Sequence, residues 1–126
     1  MDGPLTYRAG TGSLTLELTM VLVGQDVLLY LQGGERPHLG SVVQAVPRPS
    51  LTGDGSIGVT SSVLNLTGHK DEYLCRQAAE LVCRATGRVT VCTGGFHVDG
   101  LTAEQADAVC AMARQLAEQA AVEVPD

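Results

Sequence analysis

The chain has 126 residues, 44% of them hydrophobic and 17% charged, enough for one globular domain with a single core. A formal net charge of −6 argues against nucleic acid or an anionic membrane surface as the main partner, because both need a basic footprint. With no Trp and one Phe, the core has to be aliphatic.

In chain order, residues 1–12 are glycine-rich and read as a loose lead-in. From Leu14 to Leu22 apolar and polar residues alternate, which predicts a half-buried strand. Gly24-Gln25-Asp26 forms a short turn. Val27 to Leu31 is continuously apolar and predicts a second strand, central and covered on both faces, joined to the first by a hairpin. Pro37 forbids a regular ladder bond at its position. A third strand is expected from Ser41 to Val46, ending at Pro47, and residues 47–56 read as a loop. Ile57 to Leu66 fits either a short strand or a long ordered loop.

A helix is expected from near His69 to Thr86. Leu74, Ala78, Leu81, Val82 and Ala85 recur at helical spacing, Asp71 and Glu72 suit its first turn, and Gly87 suits the C′ position. Val89 to Thr93 reads as a further strand. A second helix carries a clear start signal. Thr102 is its N-cap, Gln105 closes a capping box, and Leu101 can staple onto Ala106. Ala106, Val109, Ala113, Leu116 and Ala120 form its apolar stripe. The order β-β-β-(β)-α-β-α predicts one α+β domain over residues 1–126, a largely antiparallel sheet packed against two helices.

The opening Met1-Asp2-Gly3-Pro4 has no basic region followed by an apolar one, and no apolar run reaches the roughly 18 residues of a membrane span. The expectation is a cytoplasmic protein. Cys75, Cys83, Cys92 and Cys110 form no CxxC motif and read as reduced, buried small hydrophobes, with metal ligation by some of them as the other option.

The chemistry concentrates around three histidines, each beside glycine in a turn-like segment. They lie in Gly33-Gly34-Glu35-Arg36-Pro37-His38-Leu39-Gly40, in Gly68-His69-Lys70-Asp71-Glu72, and in Gly94-Gly95-Phe96-His97-Val98-Asp99-Gly100. Imidazole can donate, accept, carry charge near neutrality or bind a metal. His38 and His97 are candidate metal ligands, with His69 and Asp71 or Asp99 completing a divalent site. The other option is three histidines that each bond only to their own turn. Gly33-Gly34 and Gly94-Gly95 can present backbone N–H groups to an anion, and Arg36 and Lys70 can clamp a phosphate. Both pairs also suit ordinary strand-end turns and solvated charges. Phe96 is either a core side chain or the wall of a planar-ligand site. No Ser stands in a GxSxG elbow, and Cys92 sits in an apolar strand that disfavours a thiolate nucleophile.

Three elements together resemble the LpdD-like family, the prenylated flavin chaperones that include the D subunit of gallate decarboxylase. They are the Gly33–Gly40 segment with its Pro37-His38-x-Gly40 end, His69-Lys70-Asp71 opening a helix, and Gly95-Phe96-His97-Val98-Asp99 before a Leu-Thr helix start. The resemblance runs from about Leu14 to Leu116. In element order the domain is also distantly similar to proteasome-assembly chaperones. The LpdD-like resemblance implies a non-catalytic helper of a UbiD-type decarboxylase. Such a helper binds prenylated FMN, or FMN, and matures it or delivers it from a flavin prenyltransferase to the apo-enzyme. Gly33, Gly34, Arg36, Pro37, His38, Gly40, His69, Lys70, Gly94, Gly95, Phe96 and His97 are then the candidate cofactor-binding residues. Separately, the mostly apolar sheet, the two-helix cover and the small size predict a homodimer. Two other classes stay open: a small metal-dependent enzyme built on histidine, and an assembly chaperone that touches only protein.

Overall fold

Alternation sorts the strands onto one sheet. The structure, a computed structural model, describes residues 3–66 and 70–126. Its elements are β1 (Leu5–Thr11), β2 (Leu14–Val23), β3 (Asp26–Gly34), β4 (Ser41–Pro49), β5 (Ile57–Asn65), α1 (Lys70–Thr86), β6 (Thr90–His97) and α2 (Ala103–Val122). The strands form a six-stranded sheet in the order β1-β2-β3-β6-β4-β5. Every neighbouring pair is antiparallel except β3 and β6, which run parallel.

Both helices lie on one face of this sheet. α1 packs over β4, β6 and β5, while α2 packs over β2 and β1 and against α1. Leu16, Leu18 and Met20 of β2, Leu29 and Leu31 of β3, Val43 of β4 and Cys92 of β6 meet Ala78, Val82, Val109, Ala113 and Leu116 in a fully buried core. The helix ends follow the local signals. The Thr102 side chain accepts from the Gln105 N–H at 3.1 Å, and Gln105 Oε1 accepts from the Thr102 N–H at 3.0 Å. Gly87 closes α1 at φ +69°, its N–H donating to the Cys83 carbonyl at 2.8 Å. Among the described residues, no helix is long and apolar enough to cross a membrane.

Three expectations change, and one open alternative, at Ile57–Leu66, closes. The glycine-rich lead-in is a strand: Leu5, Tyr7 and Ala9 pair with Met20, Leu18 and Leu16 and point to the helix side. Its glycines served the turn rather than disorder. Gly10 and Gly12 both have positive φ where the chain reverses into β2. Ile57–Asn65 is a strand at the sheet edge, where Val59 and Val63 pack on the core while its other face stays polar or exposed. The β4 strand runs past Pro47 to Pro49. Lastly, β3 is central in order but covered on one face only, and Tyr30 on its open side is 37% exposed. Within the expected α1 stripe, Leu81 is half-buried and Ala85 exposed, while Cys75, Ala79 and Cys83 take the buried face.

The one parallel pairing places the site. Because β3 and β6 run the same way, Gly34 and His97 end side by side. The 35–40 loop leaves from that end and re-enters the sheet as Ser41 opposite Gly94, and the first turn of α1 reaches the same corner.

Candidate functional site

At this corner the histidines form two separate stations. His38 Nε2 lies 2.8 Å from Asp71 Oδ2, and His38 Nδ1 lies 3.0 Å from the Arg36 carbonyl oxygen. A carbonyl and an ionised carboxylate can only accept, so this pairing favours a proton on each ring nitrogen, the imidazolium form of His38. The Arg36 carbonyl, followed by the charge and hydrogen bond of Asp71, holds its pKa above the ordinary 6.5 against the opposing effects of burial and the Arg36 charge. Asp71 is itself anchored. It sits buried in the first turn of α1, where the helix dipole favours a carboxylate, and its Oδ1 accepts the Phe96 N–H at 2.9 Å. One carboxylate thus ties a loop, a helix start and a strand end together.

Two glycines make room for this contact. A Cβ on Gly40 would fall 2.1 Å from Asp71 Oδ2, and one on Gly95 would fall 2.7 Å from both the ring and the carbonyl oxygen of His38. The other predicted glycines meet neighbouring backbone instead. A Cβ would sit 2.1 Å from the Thr15 carbonyl at Gly33, 2.4 Å from the His97 carbonyl at Gly34, and 1.7 Å from the Leu31 carbonyl at Gly94. Close strand packing therefore accounts for these three.

The second station is exposed. Asp99 Oδ1 takes His97 Nε2 and Arg36 Nη2, each at 2.8 Å, on a side chain that is 78% exposed. The His97 hydrogen bond and then the Arg36 charge hold the Asp99 carboxyl below its ordinary value. Backbone bonds brace the same turn. Glu35 and Arg36 donate their N–H groups to the His97 carbonyl at 2.7 and 3.3 Å, and Glu35 Oε1 accepts the Asp99 N–H at 3.1 Å.

Of the predicted residues, the structure brings Arg36, His38, Gly40, Gly95, Phe96 and His97 to one corner. Arg36, expected as a phosphate clamp, is paired with Asp99. His69 lies outside the described residues, as does the side chain of Lys70. His38 and His97, expected to share a metal, each face their own carboxylate, and among the described residues no three His, Cys, Asp or Glu side chains gather to hold an ion. Cys75, Cys83 and Cys92 are buried, and burial pushes the Cys92 thiol well up. Ser41 donates to Asn65 Oδ1 at 2.7 Å.

Two concavities flank the corner. On the open sheet face, Tyr30, Gln32, Pro37, His38 and Leu39 border a hollow of about 220 Å³. On the helix side, Phe96, Val98, Leu101, Ala106, Val109 and Cys110 line an apolar cleft of about 260 Å³. Phe96 is a core side chain, 6% exposed, that also lines this cleft. Sequence reasoning missed Asp71 as the partner of His38 and the cleft as a whole. The hydrophobic staple of Leu101 onto Ala106 was its one visible trace.

The chain matches the family model described as the prenylated flavin chaperone LpdD-like domain over residues 10–124. It belongs to this family. It is 25% identical over 116 residues to Protein LpdD of Lactiplantibacillus plantarum, spanning 90% of this chain and 80% of that one. Its fold is similar to a chain in the crystal structure of a novel chaperone complex for yeast 20S proteasome assembly. The TM-score is 0.64 at 14% identity, covering 97% of this chain and 98% of that one.

Proposed function

We propose that this LpdD-like chain binds prenylated FMN and matures or delivers it to a UbiD-type aromatic acid decarboxylase, without performing the decarboxylation itself. The observation that carries this reading is the family match across residues 10–124. The corner fits such a ligand. His38, whose pairing favours the cationic form, suits an anionic group, Tyr30 offers an aromatic edge to the open hollow, and the apolar cleft lies directly behind Phe96. The residues form a shallow, preorganised surface rather than a deep chamber, which suits a ligand that must be held and then released.

The proposal places the protein in the cytoplasm, receiving cofactor from a flavin prenyltransferase. It also includes a homodimer, because Tyr30, Val42, Val46 and Leu64 leave apolar surface on the uncovered sheet face. Light scattering at micromolar concentration tests that part, and a monomer mass would count against it.

The test of function mixes apo-decarboxylase, prenylated FMN and this protein, and follows CO₂ release with and without the helper, in air and under anaerobic loading. Faster or fuller activation is expected with the helper. Equal activity in both arms overturns the proposal, and turnover by the helper alone would identify an enzyme instead.

A further inference from the structure

The apolar cleft behind Phe96 asks for an occupant of its own. It is bounded by the end of β6, by Tyr73 and Leu74 of α1, and by Leu101, Ala106 and Val109 on and before α2. Its size is informative. Pockets that enclose a whole drug-sized ligand run to roughly 300–1,000 Å³. At about 260 Å³ the cleft is too small for an entire flavin and large enough for a hydrocarbon substituent. His97 is among its lining residues and also belongs to the exposed Arg36–Asp99–His97 cluster. A ligand reaching both regions would therefore present a polar part at the corner and a hydrocarbon part to the cleft.

Resting on the carrier reading above, we infer that this cleft receives the isoprenoid-derived part of prenylated FMN. It thereby makes the protein discriminate the modified cofactor from ordinary FMN. The polar corner alone has no means to do this, since both flavins share the same phosphate and most of the same ring. An apolar pocket does have the means, because every two carbons it buries are worth roughly tenfold in affinity. Ala106 lines the cleft with a side chain small enough for a larger one to fill it. It is half-buried on the first turns of α2, and its N–H already closes the helix start onto the Thr102 carbonyl at 2.9 Å.

A built-in reporter lies in the wall. Of the four cysteines, Cys75, Cys83 and Cys92 are buried, and Cys110, which lines the cleft, is partly exposed. Burial raises the Cys110 thiol pKa, so alkylation is best followed at alkaline pH.

The experiment compares prenylated FMN with FMN, both handled anaerobically, by equilibrium dialysis against wild-type protein and against Ala106→Phe and the milder Ala106→Leu. Circular dichroism establishes that each variant is folded. Wild-type protein should favour prenylated FMN by at least about tenfold. Ala106→Phe should bring the two flavins to near-equal affinity by weakening only the prenylated one, with Ala106→Leu intermediate. In the wild type, which carries no substitution that affects folding, prenylated FMN should slow Cys110 alkylation more than FMN at equal occupancy. Equal binding of the two flavins by wild type, an unchanged preference in a folded Ala106→Phe, or equal protection of Cys110 would overturn the assignment of the cleft while leaving the carrier reading standing. Wild-type protein that binds neither flavin would overturn the carrier reading and the cleft assignment with it.

Discussion

His38 and His97 are held at one corner, each by an aspartate at 2.8 Å and each with more than a third of its side chain exposed, yet the two aspartates sit in opposite surroundings. The Asp71 side chain is 12% exposed and has a second fixed partner in the Phe96 N–H; the Asp99 side chain is 78% exposed and its other partner is the exposed Arg36 guanidinium. The same pair of residue types therefore serves two ends. The pair built on the buried aspartate fixes loop to helix to strand, because leaving Asp71 or the Phe96 N–H unpaired exposes a desolvated group to the full penalty. The exposed pair stays close to water and is worth little to stability, which leaves its groups free to trade partners with a ligand.

The largest effect should come from breaking what both stations share, the β3–β6 end. In Gly94→Ala the new Cβ meets the Leu31 carbonyl at 1.7 Å, on a residue whose φ is +135°. Neither strand can yield without losing its ladder. The expected cost is about 3–5 kcal/mol, with the midpoint of thermal unfolding lowered by on the order of 10–20 °C. A calorimetric scan matching wild type would show that the two strands are not packed as described.

Next in size is the contrast between the aspartates. Asp71→Ala strands both the Phe96 N–H and His38, and should cost about 2–3 kcal/mol by urea denaturation. Asp99→Ala should leave the urea midpoint where it was. Equal losses at the two sites would refute the division into a buried and an exposed station.

That division was only partly legible in the sequence. Both helices were readable because their signals are local: the Thr102–Gln105 box and Gly87 act within one turn. The glycine–histidine segments were recognisable as sites for the same reason. What sequence reasoning missed depends on distant pairing. Leu5, Tyr7 and Ala9 do alternate, but glycines at 3, 10 and 12 masked a strand that is held by Met20, Leu18 and Leu16. Asp71 looked like a helix-start acid or a metal ligand. Its bond to His38, 33 residues away, exists because β6 inserts between β3 and β4 and draws the loop to the helix. Gly40 and Gly95 suggested backbone offered to a ligand, whereas their missing side chains admit the His38–Asp71 contact.

The same contrast has a pH signature. The pKa of His38 is raised on folding, so its pairing contributes fully below its unfolded pKa near 6.5 and is lost as pH rises through the higher folded value. Proton NMR of the imidazole should show His38 titrating above 6.5. In Asp71→Asn the midpoint should fall toward the ordinary value without reaching it, because the Arg36 carbonyl, the largest cause, remains. A midpoint unmoved by that substitution would mean that Asp71 does not face a charged ring.

The smallest expected effect discriminates most finely, because it ranks the two partners of one exposed carboxylate. The folded pKa of Asp99 is depressed, so its contribution is present above the unfolded value near 3.8 and fades as pH falls through the lower folded value, the reverse of His38. The His97 hydrogen bond is the larger cause and the Arg36 charge the next. A hydrogen bond acts at one atom and is insensitive to bulk salt, whereas an exposed charge is screened within a Debye length of about 8 Å at physiological ionic strength. Carbon-detected NMR of the Asp99 carboxyl should therefore show a larger upward shift in His97→Ala than in Arg36→Ala. Added salt should erase most of the Arg36 contribution and little of the His97 one. The reverse ranking would make Arg36 the organiser of this turn. It would also mean that a ligand phosphate competing for Arg36 must dismantle the station, rather than borrow a cation that water already loosens.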